Sequence, residues 1–130
     1  MPKILIVDDD HSIRELYKYI FMDLGYEVET AIDGRDGLAK VPVFEPDCML
    51  VDISMPEMTG IEFTDSLRKH NDPKLKNIPF VVLTGESPMF VPLQYAFRGN
   101  TACKAFLPKL TGSDVVAKTV QEILDRNPGW

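Results

Sequence analysis

Cysteine is scarce in this 130-residue chain, which holds only Cys48 and Cys103. They stand far apart and in no metal-ligand spacing, which excludes a disulfide framework and a zinc ribbon and suits a reducing cytoplasm. Histidine is equally sparse. His11 and His70 have no metal-spaced partner and read as surface residues. No apolar run approaches the ~20 residues of a membrane span, and Met1-Pro2-Lys3 leads into four apolar residues before three aspartates. Basic charge is in deficit, with 14 Lys plus Arg against 20 Asp plus Glu and a net charge of −6. That balance argues against a nucleic-acid backbone or an anionic membrane surface as the main partner, since both reward Lys and Arg. Internal repeats, low-complexity stretches and linkers are also missing. The expectation is one module over residues 1–130, acting alone or as part of something longer, with any output delivered by binding another chain.

What is present is an alternation of apolar runs and amphipathic stretches. Ile4-Leu5-Ile6-Val7 is a continuous aliphatic run cut off by acid, which predicts a strand buried on both faces. Ile13, Leu16, Tyr17, Ile20, Phe21 and Leu24 then form one helical stripe, with Ser12 and Glu15 offering a capping box and Gly25 a stop. Glu27 to Ala31 predicts a second strand nearer an edge. Asp33-Gly34 opens a helix through about Val41, which Pro42 should end or distort. Cys48 to Val51 is a third strand ending at Asp52, and Gly60 to Lys69 a third helix. Phe80 to Leu83 ends at Thr84, Ala105 to Leu107 makes a short fifth strand, and Val116, Val120, Ile123 and Leu124 mark a last helix.

Strands alternating with helices predict an α/β fold, a parallel sheet covered by helices on both faces. Such sheets bind ligands outside the carboxyl ends of their strands. The residues placed there are Asp8, Asp9 and Asp10 after the first strand, Asp52 after the third, Thr84 after the fourth and Lys109 past the fifth. Crowded carboxylates repel one another, and a hard divalent cation relieves them; oxygen ligands with an open, watered side favour Mg²⁺. A metal held by acids, with a hydroxyl and an ammonium nearby, suits a tetrahedral anion and phosphoryl transfer. A carboxylate left partly free can attack phosphorus and form an acyl phosphate. Each residue alone has a plainer reading: Asp10 as a helix cap, Asp8 or Asp9 as partners of the helix dipole, Asp52 as a turn former, Thr84 and Lys109 as ordinary surface or strand-end residues. Their joint placement at strand ends favours a chemical site.

Ile4-Leu5-Ile6-Val7-Asp8-Asp9, the segment Asp52-Ile53-Ser54-Met55-Pro56-Glu57-Met58-Thr59-Gly60, Val82-Leu83-Thr84-Gly85 and Phe106-Leu107-Pro108-Lys109 together resemble a response-regulator receiver domain of two-component signal transduction. The resemblance covers nearly the whole chain. It implies a flavodoxin-like sheet of order 2-1-3-4-5. It further implies that Asp52 accepts a phosphoryl group from a sensor histidine kinase or a histidine phosphotransfer protein. Asp9 and Asp52 would bind Mg²⁺ directly, Asp8 through water and Ser54 through its backbone carbonyl. Thr84 and Lys109 would touch the phosphoryl oxygens, and Phe106 matches the aromatic whose rotamer follows Thr84. The reader of the switch would be a downstream protein that the resemblance does not name.

Two departures accompany it. The family's lysine is usually followed by proline across a cis bond, whereas Leu110 follows Lys109; a cis bond without proline costs ~3 kcal/mol or more, so either a shifted lysine or a strained bond is expected. Gly99 stands seven residues before Phe106 where four is usual, implying about three extra residues within 100–104, and Pro88 and Pro92 predict a short, late or displaced fourth helix. Two rival readings remain. The segment from Ile4 to Ser12 also resembles the first motif of haloacid-dehalogenase-like phosphatases, with Asp8 as nucleophile and Asp10 as acid/base. A receiver-like interaction module without phosphate turnover is the other.

Overall fold

The computed structural model describes residues 1–85, 97, 99–109 and 111–126. Its elements run β1 (Lys3–Val7), α1 (His11–Asp23), β2 (Glu27–Ala31), α2 (Gly34–Phe44), β3 (Cys48–Asp52), α3 (Gly60–Arg68), α4 (Pro73–Lys76), β4 (Phe80–Thr84), β5 (Cys103–Pro108) and α5 (Ser113–Arg126). The five strands form one sheet in the order β2-β1-β3-β4-β5, every pair parallel. Strand order therefore reverses between β1 and β3, which places a crevice beyond their carboxyl ends.

The runs Ile4–Val7 of β1, Cys48–Val51 of β3 and Phe80–Leu83 of β4 are apolar because both faces of these strands are covered. Leu5, Val7, Met49, Val51, Phe80 and Val82 pack under α2 and α3 with Val41, Phe63 and Leu67. Ile4, Ile6, Leu50, Val81 and Leu83 face α1 and α5, against Tyr17, Phe21, Val116, Val120 and Ile123. The period-2 alternation of a strand thus divides each run between two cores.

Several local expectations are corrected. The cap of α1 is Asp10, whose carboxylate accepts from the backbone N–H groups of Ser12 and Ile13 at 2.8 and 3.4 Å. The helix starts at His11, so Ser12 lies inside it and the Ser12–Glu15 box does not form the cap. Gly25 follows the end of α1 at φ +92°, as a stop signal should. Pro42 does not end α2, which continues to Phe44. Val41 is buried, and Leu38 and Phe44 pack against the same core, so tertiary packing outweighs one missing N–H near the helix end. Glu45 then closes the helix in the left-handed region. The short α4 was not foreseen; Asp72 caps it, Pro73 opens it and Leu75 buries.

The segment before β5 takes up its additional length in two ways. Cys103 pairs with Phe80 and Ala105 with Val81, which leaves Lys104 as a bulge. Residues 100–102 make turns, with Asn100 donating to the Phe97 carbonyl and Cys103 to that of Asn100. The expected irregular fourth helix, at 86–96 and 98, and the Lys109–Leu110 bond lie outside the described residues.

Candidate functional site

The carboxyl ends of β1, β3, β4 and β5 meet on one rim. Parallel pairing sets Val7 beside Val51 and Asp52 beside Leu83, and Thr84 beside Pro108. Residues that directly follow these positions therefore converge, although they are scattered over a hundred residues of sequence. Lys109 is tied in by its own backbone, which donates to the Thr84 carbonyl at 2.7 Å.

Its ammonium lies 3.2 Å from Asp52 Oδ1 and 3.4 Å from Asp8 Oδ2. Lys109 is thus in place despite the residue that follows it. Asp8, Asp52 and Thr84 are almost fully buried, at 2, 2 and 1% exposure, whereas Asp9 is open to solvent. Asp8, Asp9 and Asp52 can each offer an oxygen such that the three lie within 4.8 Å of one another, close enough to hold one metal ion. Asp10 stands outside this group because its carboxylate is committed to the cap. Its Oδ1 serves the helix start rather than the acid cluster. Alanine at position 10 is expected to cost about 1 kcal/mol in urea unfolding, through loss of the cap, and to leave divalent-cation affinity unchanged.

Burial dominates the electrostatics. It pushes the Asp52 carboxyl up to about 6, assisted by repulsion from Asp8 and opposed by Lys109. The Asp8 carboxyl is also raised by burial, against the Asp10 N–H and Lys109. Burial alone would lower the Lys109 ammonium, but Asp8 and Asp52 outweigh it and hold its pKa above the usual lysine value. One lysine cannot neutralise two buried acids and a third nearby. Asp52 Oδ2 is buried without a hydrogen-bond partner among the described residues, which leaves one oxygen of the central acid for a ligand. An all-oxygen donor set with surplus negative charge and a solvent-open side fits a hard divalent cation.

The supporting contacts explain why these side chains stand where they do. The Asp10 N–H donates to Asp8 Oδ1 at 2.9 Å, and Arg14 Nη1 donates to the Asp8 carbonyl at 2.8 Å. After β3, the Gly60 N–H donates to the Ile53 carbonyl at 2.9 Å, and a Cβ at Gly60 would meet the Asp52 carbonyl oxygen at 2.2 Å. Thr59 and Glu62 form a reciprocal capping box that starts α3 directly below the loop. Ser54 lies in that loop with an exposed side chain. Phe106 sits beside Val82 in the β4–β5 register, two positions below Thr84 on the same face, and contacts the buried Phe97 edge to face at 5.8 Å. Arg14 and the close approach at Gly60 were not read from sequence. A Gly eight residues past Asp52 was visible, but only the packing shows what it must avoid. His11 and His70 are exposed and take no part.

A parallel 2-1-3-4-5 sheet with an acidic, lysine-clamped cluster at its switch point defines a flavodoxin-like domain with a candidate cation site. The chain belongs to the response regulator receiver domain family, whose model matches residues 4–121. It is 30% identical over 129 residues to Protein PilG of Pseudomonas aeruginosa, covering 88% of this chain and 94% of that protein. Its fold matches the chemotaxis protein CheY4 of Vibrio cholerae with a TM-score of 0.85 at 35% identity, over 95% of this chain and 99% of the other. It also matches the response regulator TrrA of Thermotoga maritima, solved in complex with Mg²⁺-BeF, with a TM-score of 0.77 at 31% identity, over 95 and 100% of the two chains. Other curated relatives are longer, and this chain spans about a third of their length. Among the described residues no helix is long and apolar enough to cross a membrane.

Proposed function

We propose that residues 1–130 act as one receiver module in which Asp52 accepts a phosphoryl group from a phosphohistidine. The observation that carries this reading is the state of Asp52: buried, gripped at one oxygen by Lys109, and without a hydrogen-bond partner at the other among the described residues. The donor is a sensor histidine kinase or a histidine phosphotransfer protein in the cytoplasm. An Asp52 oxygen forms a bond to phosphorus, the P–N bond to the imidazole breaks, and the imidazole nitrogen keeps the electron pair. The product is an acyl phosphate. Asp9 and Asp52 would hold Mg²⁺ directly, with Asp8 assisting through water and the Ser54 carbonyl completing the protein ligands. Mg²⁺ held there would supply neutralisation of the negative charge at the phosphoryl group.

The chain's own residues do the rest. Lys109 loses one anionic partner when Asp52 becomes an acyl phosphate and turns its ammonium to a phosphoryl oxygen. Thr84 donates its hydroxyl to another. Phe106, on the same face of the adjacent strand, follows Thr84 and alters the surface that a downstream protein reads. Phosphorylation therefore biases two conformations of one fold. Return to the resting state is by hydrolysis at the same site.

The test is incubation with acetyl phosphate. In Mg²⁺ a single hydroxylamine-labile adduct is expected on the peptide carrying Asp52, and in EDTA none. A folded, Mg²⁺-saturated protein that stays unlabelled would instead be an interaction module without phosphate turnover.

A further inference from the structure

The site as proposed leaves one cationic side chain of the β1–α1 turn without a task. Arg14 is half-buried in the first turn of α1, and its guanidinium reaches back to the carbonyl of Asp8. That carbonyl belongs to the peptide joining Asp8 to Asp9. The two residues are held very differently. Asp8 is fixed three times over: its N–H donates to the Ala31 carbonyl, its Oδ1 accepts from Asp10, and its Oδ2 faces Lys109. Asp9 is exposed, and among the described residues nothing grips its carboxylate. The backbone therefore fixes only where the Cα–Cβ bond of Asp9 leaves the chain and which rotamers are open to it, and the peptide before it is the one that Arg14 holds.

We propose that Arg14 is a positioning residue for the cation: by clamping the Asp8–Asp9 peptide, it aims the Asp9 carboxylate at the point shared with Asp8 and Asp52. The inference rests on the Mg²⁺ assignment above. Arginine suits the task because a charged N–H donor makes a stronger bond to a carbonyl than a neutral one, and its planar fork is stiff. The helix that carries it is itself anchored, since Tyr17 and Phe21 are buried against the sheet. Arg14 thus ties the orientation of one ligand to the packing of α1.

The sign of the effect separates this role from simple electrostatics. A guanidinium bonded to the Asp8 carbonyl repels a second cation held at the neighbouring carboxylates, so removal of its charge alone would tighten Mg²⁺ binding. Loss of a positioning contact weakens it instead. Partners one step behind metal ligands typically carry about tenfold or more in affinity.

The experiment is calorimetric titration of Mg²⁺ alone into the full chain as wild type, Arg14→Met and Arg14→Lys, with thermal unfolding measured without metal. Arg14→Met is expected to bind Mg²⁺ about tenfold more weakly. Arg14→Lys keeps a charged donor and should stay within about threefold of wild type. At saturating Mg²⁺, acetyl phosphate should label Arg14→Met to the wild-type extent, which a general structural defect would not allow. If Arg14→Met does not fold, Arg14→Gln is measured against the same expectation. Unchanged or tighter Mg²⁺ binding in the folded variant overturns the role of Arg14 alone. A wild-type chain that takes no Mg²⁺ overturns the metal reading and this inference together.

Discussion

Asparagine at position 52 is expected to stabilise the metal-free protein at pH 7 by up to about 3 kcal/mol while removing phosphoryl uptake. The two effects have one cause. The acceptor must be ionised to attack phosphorus, yet it sits buried beside Asp8, which pushes its carboxyl from 3.8 up to about 6. At ~1.4 kcal/mol per pH unit, that displacement disfavours the folded state by about 3 kcal/mol once the group is fully ionised. The sign follows from which state binds the proton more tightly. Here it is the folded one, so the cost is absent below about pH 4, grows between about pH 4 and 6, and is complete above. A neutral amide of the same shape escapes it, and Lys109 retains Asp8 as a partner. Urea unfolding at pH 7 and pH 4 checks this. The variant should exceed wild type at pH 7 and match it near pH 4, and labelling by acetyl phosphate should fall to background. Equal stability at pH 7 would show that Lys109 already balances the buried charge. Added Mg²⁺ should restore wild-type stability, because a ligand that binds only the folded state stabilises it.

Alanine at position 60 should destabilise the fold by about 3 kcal/mol or more, a large share of a small domain's stability. The added methyl would lie 2.2 Å from the Asp52 carbonyl oxygen and 3.0 Å from both the Asp52 carbonyl carbon and the Ile53 Cα. All three are backbone atoms, so no side-chain rotation relieves the clash. The start of α3 must move off the end of β3, at the expense of the Gly60–Ile53 hydrogen bond and the seating of Asp52. Gly34 provides the contrast, because a methyl there meets only the side chain of Met58, at 2.7 to 2.9 Å. Thioether side chains rearrange readily, so Gly34→Ala should cost about 1–2 kcal/mol at most. Denaturant midpoints of the two variants test the ranking. Comparable losses would mean that the β3–α3 loop yields more easily than its backbone contacts indicate. Weakened Mg²⁺ binding in Gly60→Ala, with little change in Gly34→Ala, would locate the damage at Asp52.

Local patterning is enough to read the strands and the ends of most of them. Ile4 to Val7, Cys48 to Val51 and Phe80 to Leu83 are apolar without alternation, which only strands covered on both faces tolerate, and each stops at a polar group. The identity of the rim residues Asp8, Asp9, Asp52, Thr84 and Lys109 was legible for the same reason. Local competition was less so. Asp10 displaced Ser12 as the cap because the helix starts two residues earlier, at His11, and Pro42 stayed inside α2 because Leu38, Val41 and Phe44 hold that helix on the core.

The chemistry of the individual acids depends on the assembled fold. Asp8 and Asp9 are neighbours with the same side chain, yet one is buried beside Lys109 and the other faces water. Which oxygen Lys109 grips, why Asp52 titrates high, and which peptide Arg14 clamps all follow from parallel pairing that joins residues far apart in the chain. Patterning acts over a few neighbouring residues, whereas burial and Coulomb interactions depend on what the fold brings within a few ångströms.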